Sequence, residues 1–176
     1  DRAGGRAISR AGTHWLPSGM AAMRRTEPGP GQESVWDYPR PPRVERSRAR
    51  VVVQCAGQTL ADSTRAYRVL ETSHPPVFCI PPEDVRTDLL VPVRGRTMCE
   101  FKGTAKYFDV VVGDRRADRA VWTYPDPTLA FADIQDCFSF YPSKMDACFV
   151  DGERVEPQDG DFYGGWITSA IVGPFK

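Results

Sequence analysis

The sequence predicts a mainly β, compact antiparallel single domain with one or two short helices. Its 176 residues include 16 prolines and 15 glycines, and both residue types interrupt regular structure, so the chain is divided into many short segments. Seven or more of these segments are rich in the β-branched and aromatic residues that strands favour. The chain is 41% hydrophobic, which is enough for one hydrophobic core.

The predicted domain covers residues 34–176 and follows an N-terminal arm, residues 1–33. The arm is rich in Gly, Ala and Arg without periodicity, so we expect it to be disordered or extended and to add little stability. Residues 1–19 precede two methionines and are interpreted as a non-native extension. His14 lies in this extension, which leaves His74 as the only histidine of the domain.

The strand predictions rest on apolar segments separated by turns. Three segments each predict a hairpin, because two apolar runs flank a polar or glycine-containing turn. They are VVVQCAGQTLA (51–61), KYFDVVVGDRRADRAVWTY (106–124) and MDACFVDGERV (145–155). RAYRVLE (65–71) fits helical spacing or a strand. We favour a strand, because the segment is short and apolar PPVFCIP (75–81) follows it.

Two segments predict short helices. PPEDV (81–85) has proline at its start and acidic residues in its first turn, which favours a single helical turn. TLAFADI (128–134) is a second short helix, and DCFSFYP (136–142) is a further strand. The chain closes with FYGGWITSAIVGPF (162–175).

Charge is divided unevenly along the chain. Residues 1–50 carry ten arginines and five acidic residues, whereas residues 51–176 carry 13 basic and 18 acidic residues. The run RPPRVERSRAR (40–50) is interpreted as a solvated linker, because its arginines lack helical spacing and interleaved aromatics, and this disfavours nucleic-acid binding. No apolar run approaches the roughly 20 residues that span a bilayer. We therefore expect a cytoplasmic protein that neither associates with a membrane nor is secreted.

The five cysteines predict no metal site and no cofactor. No two of them have the spacing of a zinc knuckle. Four lie in or beside apolar runs and are interpreted as small core residues: Cys55, Cys79, Cys137 and Cys148. Cys99 lies in a more polar block and is treated as a candidate reactive residue.

Five ordered blocks carry a family resemblance: ADSTRAYRVLETSHPPVFCIPPEDV, CEFKGTAKYF, AVWTYPDP, MDACFVDGERV and FYGGWITSAIVGPF. Over about residues 34–176 the chain resembles the bacterial domain of unknown function 427, a family also labelled nucleotidyltransferase-like. The resemblance implies a β-tent, or Mss4-like, fold. The family block Cys-Pro-Tyr-Lys-Gly is here Cys99-Glu-Phe-Lys-Gly103, with the proline replaced. Tyrosine is common in the family at the position of His74, which weakens any mechanism that requires an imidazole there.

The nucleotidyltransferase label has little support in the residues. Asp159-Gly160-Asp161 is formally an Asp-x-Asp pair, but no Gly-Ser precedes it, and we interpret it as a turn. The chain also lacks the glycine-rich phosphate-binding motifs.

The leading functional hypothesis is a small polar or aromatic ligand bound in an aromatic pocket, with Glu71 and Lys102 orienting it. The predicted pocket residues are Arg65, Glu71, Lys102, Tyr107, Trp122, Tyr124 and Trp166. The alternative for Glu71 and Lys102 is a structural ion pair, and for the tryptophans it is core packing. For His74 we favour a turn histidine bonded to backbone, and for Cys99 a buried structural cysteine, over a functional role.

Two other functions stay open. An enzyme would use Cys99 as nucleophile, assisted by Lys102 or His74 and opposed by Glu100, or Glu71 as general base. A protein-interaction module would reach a partner through the arginines of residues 40–50. Homo-oligomerisation is left open.

Overall fold

The computed structural model describes residues 24–160 and 162–176. The described chain is mainly β, as predicted, with several small, mostly antiparallel sheets and a few short 3₁₀ helices. The strands are β1 (Glu33–Ser34), β2 (Arg43–Arg46), β3 (Val51–Cys55), β4 (Gln58–Ser63), β5 (Tyr67–Leu70), β6 (Val77–Cys79), β7 (Leu90–Cys99), β8 (Gly103–Val112), β9 (Arg115–Thr123), β10 (Ser139–Phe140), β11 (Ala147–Val150), β12 (Glu153–Arg154), β13 (Glu156–Pro157), β14 (Trp166–Ile167) and β15 (Ile171–Val172). The 3₁₀ helices are η1 (Val35–Asp37), η2 (Pro82–Asp84), η3 (Thr87–Leu89), η4 (Leu129–Ile134) and η5 (Pro142–Lys144).

Three sheets form the body of the fold. One has the strand order β10-β9-β8-β7, a second has β12-β11-β3-β4, and a third has β2-β5-β6. Two short pairs complete the structure: β13 with β14, and β1 with β15, which run parallel. The three predicted hairpins are confirmed as β3–β4, β8–β9 and β11–β12, and the preferred strand at residues 65–71 is confirmed as β5.

Strand β7 is an element that the sequence pattern did not reveal. It pairs antiparallel with β8, and its register shifts between Pro92 and Arg96, where a bulge interrupts the ladder. Proline, glycine and arginine in LVPVRGRTMC hide the alternation of a strand. Pro92 is tolerated because β7 lies at the edge of its sheet.

The interpretation of residues 40–50 as a solvated linker is wrong for four of these eleven residues. Arg43–Arg46 form β2, which pairs with β5 in the three-stranded sheet. Arg50 contacts Asp62 at 2.7 Å, and Arg40 contacts Glu71 at 3.7 Å. Much of the basic charge is therefore paired with acidic residues of the same domain, so the lack of helical spacing reflected a strand.

The N-terminal segment has contacts with the domain from Arg25 onward, since the Arg25 guanidinium pairs with Asp37. The amide of Thr26 donates to the Gly173 carbonyl at 3.0 Å, and the Glu33 carboxylate accepts a hydrogen bond from Arg68 at 3.1 Å. Residues 1–19 and His14 lie outside the described part of the chain. The boundary at residue 34 and the stability contributed by residues 1–33 stay predictions.

Buried side chains form two main clusters. The main core packs between the sheets and includes Val51, Val53, Leu60, Ile80, Val110, Val121, Phe140 and Trp166. The second core is richer in rings and thiols, and includes Val69, Cys79, Trp122, Tyr124, Phe131, Ile134, Cys137 and Tyr141. Among the described residues, no helix is long and apolar enough to cross a bilayer.

Candidate functional site

A cavity of about 250 Å³ opens beside the second core. Strands β5, β6, β7, β8 and β9 and the segment at residues 162–163 contribute its walls. Five of the seven predicted pocket residues line it: Glu71, Lys102, Tyr107, Trp122 and Tyr124. The two other candidate catalytic residues, His74 and Cys99, line the same cavity.

Sheet register explains why the rings share one wall. Tyr107 of β8 lies directly opposite Trp122 of β9, and directly opposite residues project from the same face of a sheet. Tyr124 follows Trp122 by two positions and so lies on the same side. Thr97 fixes the Tyr107 hydroxyl with a 2.7 Å hydrogen bond, and the Trp122 ring packs on Tyr141 with centroids 4.5 Å apart.

The loop between β7 and β8 presents Lys102 to the cavity. Cys99 pairs with Gly103 across the base of this loop. Gly103 has φ +107°, and a Cβ there would lie 3.1 Å from the Asp126 carbonyl oxygen, so glycine suits both the conformation and the close approach. The Lys102 carbonyl accepts from the Thr128 amide at 3.1 Å. The CEFKG and YPDPT segments are thus one local structure.

Glu71 and Lys102 line one cavity without forming a direct ion pair. Among the described residues, the carboxylate of Glu71 pairs with Arg40 at 3.7 Å, and its side chain is 18% exposed. Lys102 Nζ lies 5.7 Å from the centroid of the Tyr124 ring instead, with no carboxylate within 4.0 Å among the described residues. The structural ion pair considered for these two residues is therefore absent.

His74 is buried and held from two sides. Its Nδ1 lies 2.7 Å from the main-chain oxygen of Lys176. The Tyr163 ring packs on the imidazole with centroids 4.0 Å apart and an interplanar angle of 31°. His74 is 8% exposed and lines the cavity.

Burial distinguishes the cysteines. It raises the pKa of the Cys79 thiol, and it raises the pKa values of Cys137 and Cys148 to about 12. These thiols stay protonated at neutral pH and behave as small core residues. Cys99 is half-buried and lines the cavity, so it is the cysteine that a small molecule in the cavity reaches.

The Tyr124 hydroxyl also stays protonated. Burial, reinforced by nearby Cys99, raises the pKa of this phenol well above its usual range. A neutral phenol at the cavity wall offers one hydrogen-bond donor and an apolar ring face.

Two predicted pocket residues lie elsewhere. Arg65 pairs with Asp84 at 2.7 Å, at the end of β4 and outside the cavity. Trp166 is 1% exposed in the main core, where its indole N–H donates to the Phe140 carbonyl at 3.2 Å. Core packing was the alternative considered for the tryptophans, and it holds for Trp166.

Sequence reasoning missed other residues of the cavity wall, including Arg40, Tyr141, Phe162 and Tyr163. Phe162 and Tyr163 stand in the block FYGGWITSAIVGPF, from which only the tryptophan was selected. Arg40 was assigned to the linker, and nothing in its local sequence indicates a partner as distant as Glu71.

The described residues contain no group of three or more His, Cys, Asp or Glu side chains placed to hold a metal ion. The predicted absence of structural zinc stays a prediction, and elemental analysis of the purified protein is its test.

The family comparison agrees with the motif blocks. The family described as Domain of unknown function (DUF427) matches residues 43–151, which is more than half of the chain. A search of curated proteins finds no match. The matched range contains most of the cavity wall, including Glu71, Cys99, Lys102 and Tyr124. The chain belongs to the DUF427 family.

Proposed function

We propose that this domain binds a small aromatic anion in the cavity. The observation that carries the proposal is Lys102, a cation in the cavity wall with no carboxylate within 4.0 Å among the described residues. The acidic residue that was expected to neutralise it, Glu71, is paired with Arg40. An anionic group on a ligand would therefore meet an ammonium group that has no ion pair with a described carboxylate, in a cavity whose wall also carries aromatic rings.

The rings favour an aromatic ligand. Trp122, Tyr124, Tyr107 and Phe101 present apolar surface with few polar atoms, which is the usual composition of a small-molecule site. About 250 Å³ is slightly below the roughly 300–1,000 Å³ typical of pockets for drug-sized ligands. This volume suits one ring or a fused pair of rings with one substituent.

The test compares charged and neutral forms of one ring system. Benzoate, nicotinate and indole-3-carboxylate are titrated by calorimetry against their carboxamides, with quenching of Trp122 fluorescence as a second readout. We expect at least one carboxylate to bind, and to bind at least tenfold more tightly than its amide. Equal affinity within every pair, or no binding by any of the six compounds, would overturn the proposal.

Lys102→Met and Lys106→Met form a matched pair for this test. Each lysine Nζ lies 5.7 Å from a ring centroid, that of Tyr124 for Lys102 and that of Phe108 for Lys106, but Lys106 lies outside the cavity. We expect Lys102→Met to abolish the preference for carboxylates and to change the free energy of unfolding by about 1 kcal/mol or less. Lys106→Met should leave binding unchanged.

A second candidate function is covalent catalysis by Cys99. The observation that favours it is that Cys99 and His74 line one cavity. In a hydrolase of this kind, the thiolate attacks a carbonyl carbon, the alcohol leaves, and water then releases the acid from the thioester. Intact-mass measurement after exposure to p-nitrophenyl acetate tests it: acetyl transfer to Cys99, lost in Cys99→Ser, supports the enzyme, and an unmodified protein contradicts it.

The location of this activity follows the sequence prediction. We propose that the domain binds its ligand in the bacterial cytoplasm and that its fold is related to the β-tent class. Purification from the native cells, followed by mass spectrometry of any small molecule that accompanies the protein, would identify a ligand of this class.

A further inference from the structure

The hydrogen bond of His74 determines which ring nitrogen carries the proton in the neutral imidazole. A main-chain carbonyl oxygen only accepts hydrogen bonds, so the 2.7 Å contact between Nδ1 and the Lys176 oxygen requires a proton on Nδ1. In the neutral ring, Nε2 then carries a lone pair and acts as an acceptor.

The acceptor of this hydrogen bond is itself fixed. The Gln158 side-chain amide donates to the same Lys176 oxygen, and its own carbonyl accepts from the Gly165 amide at 3.2 Å. The Lys176 amide donates to the Ser73 carbonyl at 2.9 Å. Tyr163 stacks on the imidazole. The ring is thus positioned by Tyr163, which also lines the cavity, and by a hydrogen-bonded network through Gln158 and Lys176 that lies outside it.

The Nε2 atom is the ring nitrogen of His74 that is left available to a ligand. Among the described residues it has no hydrogen-bond partner. In the described part of the chain, the fully buried side-chain polar atoms that lack a partner are the Tyr38 hydroxyl and Thr123 Oγ1, so Nε2 is not one of them. Since His74 is 8% exposed and lines the cavity, we infer that its accessible surface includes Nε2.

We propose that His74 Nε2 accepts a hydrogen bond from the ligand, and that the ligand is therefore an aromatic anion bearing a ring hydroxyl or a ring N–H. This inference rests on the proposed function and adds the second polar group. Lys102 would take the anionic group, and His74 would select the donor. A ring without a donor would displace water from Nε2 without replacing its hydrogen bond, which costs affinity.

The experiment uses hydroxybenzoates as probes. 3-Hydroxybenzoate and 4-hydroxybenzoate are compared with benzoate and with the matching methoxybenzoates, which keep the oxygen but lack the donor. We expect one hydroxybenzoate to bind about tenfold or more tightly than benzoate and its methoxy analogue. His74→Phe keeps a ring against Tyr163 and should remove this preference while retaining the preference for carboxylate over amide.

Gln158→Leu tests positioning without touching the cavity. It removes one of the two donors to the Lys176 oxygen, so we expect a smaller hydroxyl preference than in the parent protein. Nitrogen-15 NMR at pH 8.5 gives a readout that does not depend on affinity. The chain has two histidines, and we expect the His74 signals to show the Nδ1–H tautomer.

The outcomes separate the two proposals. If no benzoate derivative binds, the proposed function fails. If benzoates bind with no hydroxyl preference, or if NMR shows a proton on Nε2 of the neutral ring, the role assigned to His74 is wrong and the anion site stands. Neither result needs His74→Phe to fold, since both are measured on the parent protein.

Discussion

The two faces of the β8–β9 hairpin differ in how completely they are packed. On the closed face, Val110 and Val121 are 0% exposed and contribute to the main core. On the open face, Tyr107 and Trp122 lie against the cavity. Successive residues of a strand alternate between the faces, so one hairpin serves both purposes. Aliphatic side chains fill space without needing polar partners, whereas rings with polar atoms need room for donors and acceptors, and here they leave about 250 Å³ open.

The largest expected effect is a loss of folding stability, which we compare for one phenylalanine in the main core and one at the cavity. Phe140 lies opposite Val121 and is 0% exposed, whereas Phe101 is half-buried at the cavity. Phe140→Ala should lower the free energy of unfolding by about 3–5 kcal/mol. Phe101→Ala should lower it by about 1 kcal/mol, because less apolar surface leaves water when this ring packs. Urea unfolding measures both, and similar losses would mean that the open face is packed like a core.

Two glycine-to-alanine substitutions test how closely the backbone at Gly164 packs against the rings of the open face. A Cβ on Gly164 would lie 2.7 Å from Trp122 and 2.9 Å from Tyr141, at φ +65°. Gly152 has φ +79° with nothing within 4 Å. We expect Gly164→Ala to cost about 2–4 kcal/mol, the sum of backbone strain and overpacking, and Gly152→Ala only the strain of about 1 kcal/mol. Equal costs in thermal unfolding would show that the ring wall moves aside freely.

The third prediction concerns alkaline pH and the main core. Burial raises the pKa of Cys148 to about 12, above the roughly 8.5 of an unfolded thiol. Its contribution to stability is therefore complete below about pH 8.5 and is lost as the pH rises toward 12. Between pH 9 and 11 the parent protein should lose about 2 kcal/mol more stability than Cys148→Ala. Parallel stability curves for the two proteins would contradict this.

The smallest effect is expected at Arg65, which lies outside the cavity. Hydrogen bonding to Arg65 holds the pKa of Asp84 below its ordinary value, so the pair stabilises the fold above that value, and its contribution is lost as the pH falls. Arg65→Met should leave ligand affinity unchanged and lower the melting temperature slightly at pH 7. The difference in melting temperature should shrink below pH 4. A loss of ligand binding in Arg65→Met would restore this residue to the site.

The sequence predicted the hairpins and one wall of the cavity, because alternation and turn residues act locally. Tyr107, Trp122 and Tyr124 could be placed together from the β8–β9 register alone. Trp122 could not be distinguished from Trp166, because both are tryptophans in β segments and only tertiary packing buries one of them completely. Strand β7 was missed because Pro92 and Gly95 obscure its pattern.

The remaining site contacts leave no signature in residue type. The pairing of Arg40 with Glu71 depends on β2 lying beside β5, and local sequence does not determine which distant strands pair. The partner of His74 is a main-chain carbonyl, and every residue has one. The sequence favoured a turn histidine bonded to backbone, but it could not indicate which main-chain oxygen lies beside the ring.

The contact between His74 and Lys176 joins positions 102 residues apart in the chain. A ribosome adds residue 176 long after the strands around residue 74 have been made, so a nascent chain has the aromatic wall of the cavity before it has the carbonyl that fixes the imidazole. Selection of a ring hydroxyl or N–H would then begin only when synthesis has passed residue 176, and a chain truncated just before that residue should keep its preference for carboxylates and lose its preference for a ring donor.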